Sequence, residues 1–440
     1  MSVLVLGLNY RTAPIGLLER VAVPSERLGK ALASLTGREH VLEAAVLSTC
    51  NRVEVYADVT RYHGGMADLR NFFAEWAGLA PEDFAGLAYD FFEERAAAHL
   101  FGVASGLDSM VVGERQIQLQ VKQALADAEA EGAADRVLQA LFRQSLRTGR
   151  RARAETRISD GAASMVDVAL DAAARVLGNL RGRTVLLVGA GKMGGMAASR
   201  VNGEAARIVV ANRTASKGER LALRVDGDVI DFAGIGTGLA DADLVLCSTG
   251  SSVPVITQDD AAEAMTARPG RPLALVDVAV PRDVDPACSF VPGVTVLDID
   301  AIRELTDTGK TGGDGPASRT PAGGGLKAAV AEARALVDAE ARRFDAWTRG
   351  VRLEPTIAAL RSRAEDVRQA ELERLAARFA DLDERQREAL DAVTKGIVNT
   401  FLHEPSVRLK ALADSPGADG HAAALRELFD LDVPPPPDVT

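Results

Sequence analysis

The sequence predicts a multidomain α/β protein: an N-terminal α+β domain, a doubly wound parallel-sheet domain and a C-terminal helical domain. Length is the first ground, because 440 residues exceed one ordinary hydrophobic core when domains run to about 100–200 residues. The second is a central series of short, β-branched apolar runs separated by helix-length segments, the pattern of a parallel sheet with crossover helices. The third is a set of long, charge-rich segments towards the end with apolar residues at helical spacing. Hydrophobic residues make up 47% and charged residues 26% of the chain, which supplies such cores and excludes a disordered or fibrous class.

Residues 1–155 form the first predicted domain. Val3–Leu8, Ala44–Ser48 and Val53–Val59 read as strands, and Ser25–Leu35, Met66–Ala77 and Ala96–Leu107 as helices. Helical spacing persists through Gln116–Ala130, Arg136–Thr148 and Ala162–Leu177. Residues 156–306 form the parallel-sheet domain, with strands at Thr184–Gly189, Ile208–Ala211, Leu244–Ser248 and Leu273–Val278 and a last one at Val294–Ile299. Thr308–Gly325 has almost nothing apolar beside its glycines and prolines, so 307–325 reads as a linker or insert. Residues 326–440 form the helical domain, with Leu326–Trp347, Pro355–Phe379 and Glu384–His403 as separate helices. The proline-rich tail from Val433 to Thr440 cannot continue a helix and is expected to be disordered.

The first ten residues show no basic leader, and no segment approaches the roughly 18 apolar residues of a membrane-spanning helix. A soluble, cytoplasmic protein with no membrane partner is expected. Three cysteines, Cys50, Cys247 and Cys288, are an odd number without metal-ligand spacing, which argues against a disulfide framework and against a metal site. The net charge of −11 counts against unselective nucleic-acid binding, which relies on neutralising phosphates. A nucleic-acid partner would need a local basic surface. The run from Arg143 to Arg153, followed by Arg157, is one candidate, and a solvated helix face explains it equally well.

The strongest local signal is Val185-Leu-Leu-Val-Gly189-Ala190-Gly191-Lys192-Met193-Gly194, a G-x-G-x-x-G run after a predicted strand and before a predicted helix. Gly189 permits the tight turn, Gly191 lets the backbone approach a pyrophosphate, and Gly194 allows close helix–strand packing. The domain is therefore Rossmann-type. Where an NAD enzyme places an acid on the ribose, this chain has Asn212-Arg213-Thr214; Arg213 and Thr214 suit a 2′-phosphate, which favours NADP. A nucleotide-fold relic with a surface arginine is the alternative.

Cys50 stands in Ser48-Thr49-Cys50-Asn51-Arg52 between two predicted strands. Polar neighbours are unusual for a space-filling cysteine, and Arg52 would favour the thiolate that attacks a carbonyl. A single cysteine is nevertheless often a small buried hydrophobe. Cys247, in an apolar run, and Cys288 read as packed core residues. His99 lies on a predicted helix, either structural or in acid–base or orienting support. Ser109, Glu114, Gln116 and Gln120 recur at a loop-to-helix entry and can share one pocket; capping or surface exposure is the other account. From composition and spacing alone this is an NADP-dependent enzyme with a candidate thiol site in a separate domain.

Taken together these segments resemble the glutamyl-tRNA reductase family, in order along nearly the whole chain. Gly7-Leu-Asn-Tyr-Arg-Thr-Ala-Pro14-Ile resembles its opening strand and loop, Ser48-Thr-Cys-Asn-Arg52 its nucleophile motif and Gly106-Leu-Asp-Ser109-Met-Val-Val-Gly-Glu114 its substrate-pocket segment. Val188–Gly194, Asn212–Thr214 and Asp277–Asp283 resemble its cofactor domain, and His99 falls at its activity-supporting histidine. The resemblance implies a catalytic domain, an NADPH domain and a helical dimerisation domain on a long spinal helix, assembled as a V-shaped homodimer. It implies Cys50 as nucleophile, with Thr49, Asn51, Arg52, Ser109, Glu114, Arg115, Gln116 and Gln120 around the glutamyl group. The family usually reads Gly-Glu-Thr-Gln-Ile-Leu-Gly-Gln where this chain has Gly113-Glu-Arg115-Gln-Ile-Gln118-Leu119-Gln120.

The implied reaction reduces glutamyl-tRNA(Glu) with NADPH to glutamate-1-semialdehyde through a Cys50 thioester, in tetrapyrrole biosynthesis, with handover of the aldehyde to an aminomutase. Splitting the reduction in two is the reason for covalent catalysis, and interdomain closure is needed to bring the nicotinamide to the acyl group. Two rivals remain: a soluble-substrate NADP dehydrogenase related to shikimate dehydrogenase, and a non-enzymatic tRNA-binding or regulatory protein.

Overall fold

A computed structural model describes residues 2–84, 86–159, 164–251, 253–307, 324–412 and 418–433. Four strands, β1 (Ser2–Asn9), β2 (Val41–Ser48), β3 (Arg52–Val59) and β4 (Tyr89–Phe92), form an antiparallel sheet in the order β2-β3-β1-β4. β1 and β3 are buried throughout, because the helices Tyr62–Ala77, Glu94–Ser105 and Arg136–Glu155 pack against the sheet. Strands covered in this way read as continuous apolar runs. The polar exceptions Ser2, Asn9, Arg52, Glu54 and Asp58 are buried too, and Arg52 and Glu54 belong to the site. β4 escapes a sequence reading because it spans four residues, too few to show a period.

Six strands, β5 (Thr184–Val188), β6 (Arg207–Ala211), β7 (Asp228–Ile230), β8 (Leu244–Cys247), β9 (Leu273–Asp277) and β10 (Val294–Leu297), make a parallel sheet in the order β10-β9-β8-β5-β6-β7. The chain runs outward from β5 to β7 and then returns to build β8 to β10 on the other side. The order therefore reverses between β5 and β8, and the crevice outside their carboxyl ends is where such sheets bind ligands. β7 was not legible, being a three-residue edge strand with exposed positions. The predicted last strand stops at Leu297, and Ile299 instead opens the helix Ile299–Asp307.

Two helices expected beyond the linker are one. Gly324–Arg374 is a continuous 51-residue helix that passes through Pro355, where the sequence reading began a new element. Proline removes one helical hydrogen bond, but buried Val351, Leu353 and Ile357 anchor the helix on both sides of it. Val337, Ala341 and Phe344 complete the core of the N-terminal domain, whereas Leu353 and Ile357 pack with Leu409 and Ala422. The helix expected at Glu384–His403 continues through Pro405 to Ala411, and a further helix, Ala418–Phe429, follows. Of the expected linker, Asp307 closes one helix and Gly324 opens the long one, while 308–323 and the tail 434–440 lie outside the described residues.

Candidate active site

β2 and β3 are joined by Thr49, Cys50 and Asn51. The Thr49 amide donates to the Arg52 carbonyl at 2.8 Å, and the Thr49 hydroxyl oxygen accepts from the Asn51 and Arg52 amides at 3.2 Å each. This closed turn holds Cys50 at the end of the sheet. Along β3, period-two alternation points Arg52, Glu54 and Tyr56 to one face. The buried Arg52 guanidinium donates to Glu54 Oε1 at 2.8 Å and to the Asp108 carbonyl at 2.7 Å. Glu54 also accepts from Tyr56 at 2.6 Å and Tyr89 at 2.5 Å, and lies 2.8 Å from His99 Nε2.

Burial alone would raise the Glu54 carboxyl, but Arg52 and His99 outweigh it and hold it far below the usual carboxylate range. Room for this carboxylate comes from Gly7 on β1, which pairs with both Glu54 and Tyr89. A Cβ there would stand 2.7 Å from Glu54 Cγ.

Thr49, Cys50, Asn51, Arg52, Ser109, Glu114, Gln116 and Gln120 meet in one small cavity of about 20 Å³. Met165 and Met193 close it, and Ile117 adds to the wall. Met193 comes from the glycine fingerprint of the other domain, so the cofactor loop abuts the thiol. Two expected residues stand elsewhere. Arg115 faces an outer groove, and His99 packs against the Tyr89 and Phe91 rings with its Nε2 on Glu54.

The expected activation of Cys50 by Arg52 is not what this conformation shows. Burial pushes the thiol up to about 12, Glu114 adds to the rise, and a backbone hydrogen bond and Arg52 oppose it only in part. The reason is that the guanidinium is committed to Glu54 and Asp108. Burial likewise raises the Glu114 carboxyl to about 7.

The second half of the site is a groove of about 830 Å³ lined by Gly189, Ala190, Gly191, Lys192, Asn212, Arg213 and Thr214, together with Ser248 and Thr249. Gly189 has φ +107°, and a Cβ on Gly194 would stand 2.0 Å from the Gly189 carbonyl oxygen, so both positions exclude a side chain. Asn212 Oδ1 accepts from the Ala190 amide at 2.9 Å, which ties the second strand's end to the fingerprint. Arg213 donates to Ser251 Oγ at 2.6 Å and lies over the Phe232 ring. Ser248 Oγ is buried with no hydrogen-bond partner among the described residues. A bare glycine loop at a helix N-terminus, an unsatisfied hydroxyl and an exposed cation fit a dinucleotide phosphate.

A family model described as Glutamyl-tRNAGlu reductase, N-terminal domain, matches residues 6–156, and one for the dimerisation domain matches 332–431. Between them a Shikimate / quinate 5-dehydrogenase model matches 171–305. The glutamyl-tRNA reductase of Salinispora arenicola is 41% identical, covering 99% of this chain and 93% of its own. That of Frankia casuarinae is 39% identical over 98% and 96%. The chain belongs to the glutamyl-tRNA reductase family. A solved glutamyl-tRNA reductase from Methanopyrus kandleri, 29% identical, aligns over 98% of this chain and 99% of its own with a TM-score of 0.51. The soluble-substrate dehydrogenase rival is not favoured, since the dehydrogenase model stops short of the domain that carries Cys50.

In this glutamyl-tRNA reductase family member, sequence reasoning missed the partners of Arg52. Glu54 and Tyr56 were legible as alternate residues on one strand face, but nothing local ties Tyr89 or Asp108 to them. It also missed a bridge between domains: Arg282 donates to both Glu19 carboxylate oxygens at 2.9 Å, from side chain and backbone. The departing residue Gln118 donates to the Leu146 carbonyl at 2.9 Å, fastening its helix to Arg136–Glu155.

Proposed function

We propose that this protein reduces glutamyl-tRNA(Glu) to glutamate-1-semialdehyde through a thioester on Cys50, with NADPH as reductant, at an early step of tetrapyrrole biosynthesis. The observation that carries this reading is the thiol cavity, where Cys50 and polar groups from two elements converge on a wall supplied by the cofactor loop.

Cys50 Sγ attacks the ester carbonyl, the carbon–oxygen bond to the terminal ribose breaks, and the tRNA leaves with its hydroxyl restored. The thiol proton has one carboxylate acceptor among the described residues lining the cavity, Glu114, whose raised pKa of about 7 suits that exchange near neutral pH. Arg52, already oriented by Glu54, offers its remaining N–H groups to the glutamyl carboxylate. His99 acts through Glu54, as a positioning residue. Ile117, Met165 and Met193 keep water from the thioester. NADPH, when bound, supplies the hydride that converts the thioester to the aldehyde and returns the Cys50 sulfur. Gly189, Gly191 and Gly194 admit its pyrophosphate, and Arg213 with Thr214 receives the 2′-phosphate.

A cavity of about 20 Å³ is too small for a glutamyl group, so the nucleotide domain must withdraw Met193 for loading and return afterwards. Val393, Ile397 and Phe401 repeat every fourth residue and are 60%, 63% and 74% exposed; this stripe supports a homodimer. No helix of the described residues is long and apolar enough to cross a membrane, which fits a cytoplasmic enzyme. An α-amino aldehyde is reactive, which supports direct handover to an aminomutase. Incubating Cys50→Ser with labelled glutamyl-tRNA tests the reading. No label should reach the protein and NADPH oxidation should cease, whereas retained transfer or reduction removes Cys50 as nucleophile.

A further inference from the structure

A second opening lies beside the thiol cavity. It is a groove of about 920 Å³, bounded by the entry to the helix Gln116–Ala130 on one side and by the helix Lys192–Val201 on the other. It shares Glu114 and Gln116 with the thiol cavity, and Gly191, Lys192 and Arg224 with the cofactor groove. Its size is at the upper end for small-molecule sites, and although it touches Gly191, the residues Gly189, Arg213 and Thr214 that suit a dinucleotide line the neighbouring groove instead.

Cations outnumber acids along this groove, Arg115, Lys192, Arg200 and Arg224 against Glu114 and Asp167. Arg115, Lys192 and Arg224 are exposed along it, and none has an ion-pair partner among the described residues. The fourth cation, Arg200, is held by Asp167, Asp171 and Glu204. Asp167 is committed to that pair and to the Ser164 cap. Outside the groove, on the helix Arg136–Glu155, Arg153 is anchored to the Ala104 carbonyl, and Arg150 is exposed without an acidic partner among the described residues. Burial, and then repulsion from Arg115 and Arg150, lowers the pKa of Arg153. Like charges gathered in this way are relieved by a polyanion.

We propose that this groove seats the 3′-terminal nucleotides of the aminoacylated tRNA, with Arg115 and Arg150 of the N-terminal domain on their phosphates, Arg153 guiding the strand outward, and Lys192 and Arg224 joining them as the nucleotide domain closes. The inference rests on the function proposed above. Once the acyl group occupies the Cys50 cavity, the terminal ribose is one ester bond away and must emerge past Glu114 and Gln116 into this groove. A chain of net charge −11 needs such a local basic track to meet RNA. Leu119 and Met196 on the groove wall offer apolar surface to a base.

The test uses the full chain carrying Arg115→Gln and Arg150→Gln together, which spares the cations shared with the cofactor groove. Affinity for glutamyl-tRNA is measured against salt, alongside NADPH affinity and transfer of a glutamyl group to Cys50 from a small RNA-free ester. Two lost phosphate contacts should lower the slope of log affinity against log salt by about 1.4, taking roughly 0.7 per contact for a single strand. NADPH affinity and RNA-free transfer should hold, and the paired Arg→Lys variant should restore the slope. An unchanged slope overturns the inference, as does a loss confined to NADPH affinity, which would give the groove to the cofactor. If the wild type shows no NADPH oxidation dependent on charged tRNA, the proposed function itself fails, and this seat with it.

Discussion

Glu54 receives four groups, the Arg52 guanidinium, two tyrosine hydroxyls and His99, and so remains ionised inside a sheet. Glu114 has no such company, and burial alone raises its carboxyl to about 7. The two acids show why environment decides chemistry. Glu54 fixes a cation, while Glu114 can exchange a proton and repels a neighbouring thiolate. Because the Cys50 thiol stands near 12 with Glu114 contributing to the rise, alkylation in the unliganded enzyme should be slow at neutral pH. Its rate should climb about tenfold per pH unit up to at least pH 9. Glu114→Gln removes the like charge, lowers the thiol pKa and should quicken alkylation above pH 7, where Glu114 is ionised. Iodoacetamide kinetics followed by mass measurement decide the point, and an unchanged rate would show that the two groups do not interact.

At the scale of elements, the pairing of β1, β3 and β4 matters more than any single strand. Gly7 sits opposite Glu54 on one side and Tyr89 on the other, so a methyl at Gly7 must displace the carboxylate that neutralises Arg52. Disrupting a buried charged pair costs about 3–5 kcal/mol. Gly7→Ala should therefore lose stability of that order in urea unfolding, and activity with it; a loss under about 1 kcal/mol would mean that Glu54 relaxes freely. The β3 alternation was legible, but β4 was not, since four residues show no period. The long helix was misread for the opposite reason. Pro355 is a strong local stop signal, and burial of Val351, Leu353 and Ile357, absent from any local rule, overrides it.

For the whole molecule, the decisive feature is closure of the nucleotide domain on the thiol domain. The Glu19–Arg282 pair closes it from one side, and Arg303 donates to the Tyr10 carbonyl at 2.6 Å. Hydrogen bonds to charged groups contribute about 1.5–3 kcal/mol, enough to shift an open–closed balance by roughly 10- to 100-fold. Glu19→Gln should populate the open form, so Cys50 alkylation should rise and kcat fall while NADPH affinity stays. If alkylation and kcat both match the wild type, the bridge does not govern closure.

The sequence by itself determined the order of the three parts, the turn that carries Cys50 and the glycine loop after β5. Each is written in local chemistry: alternating or helical apolar spacing, a Thr-Cys-Asn turn, glycines where no Cβ fits. Only the tertiary structure decided that Arg52 spends its charge on Glu54, that Met193 walls the thiol cavity, and that Arg115 turns away from it. Those outcomes join residues from separate domains or distant segments, and the free energy of such contacts depends on burial and approach that spacing along a chain does not encode.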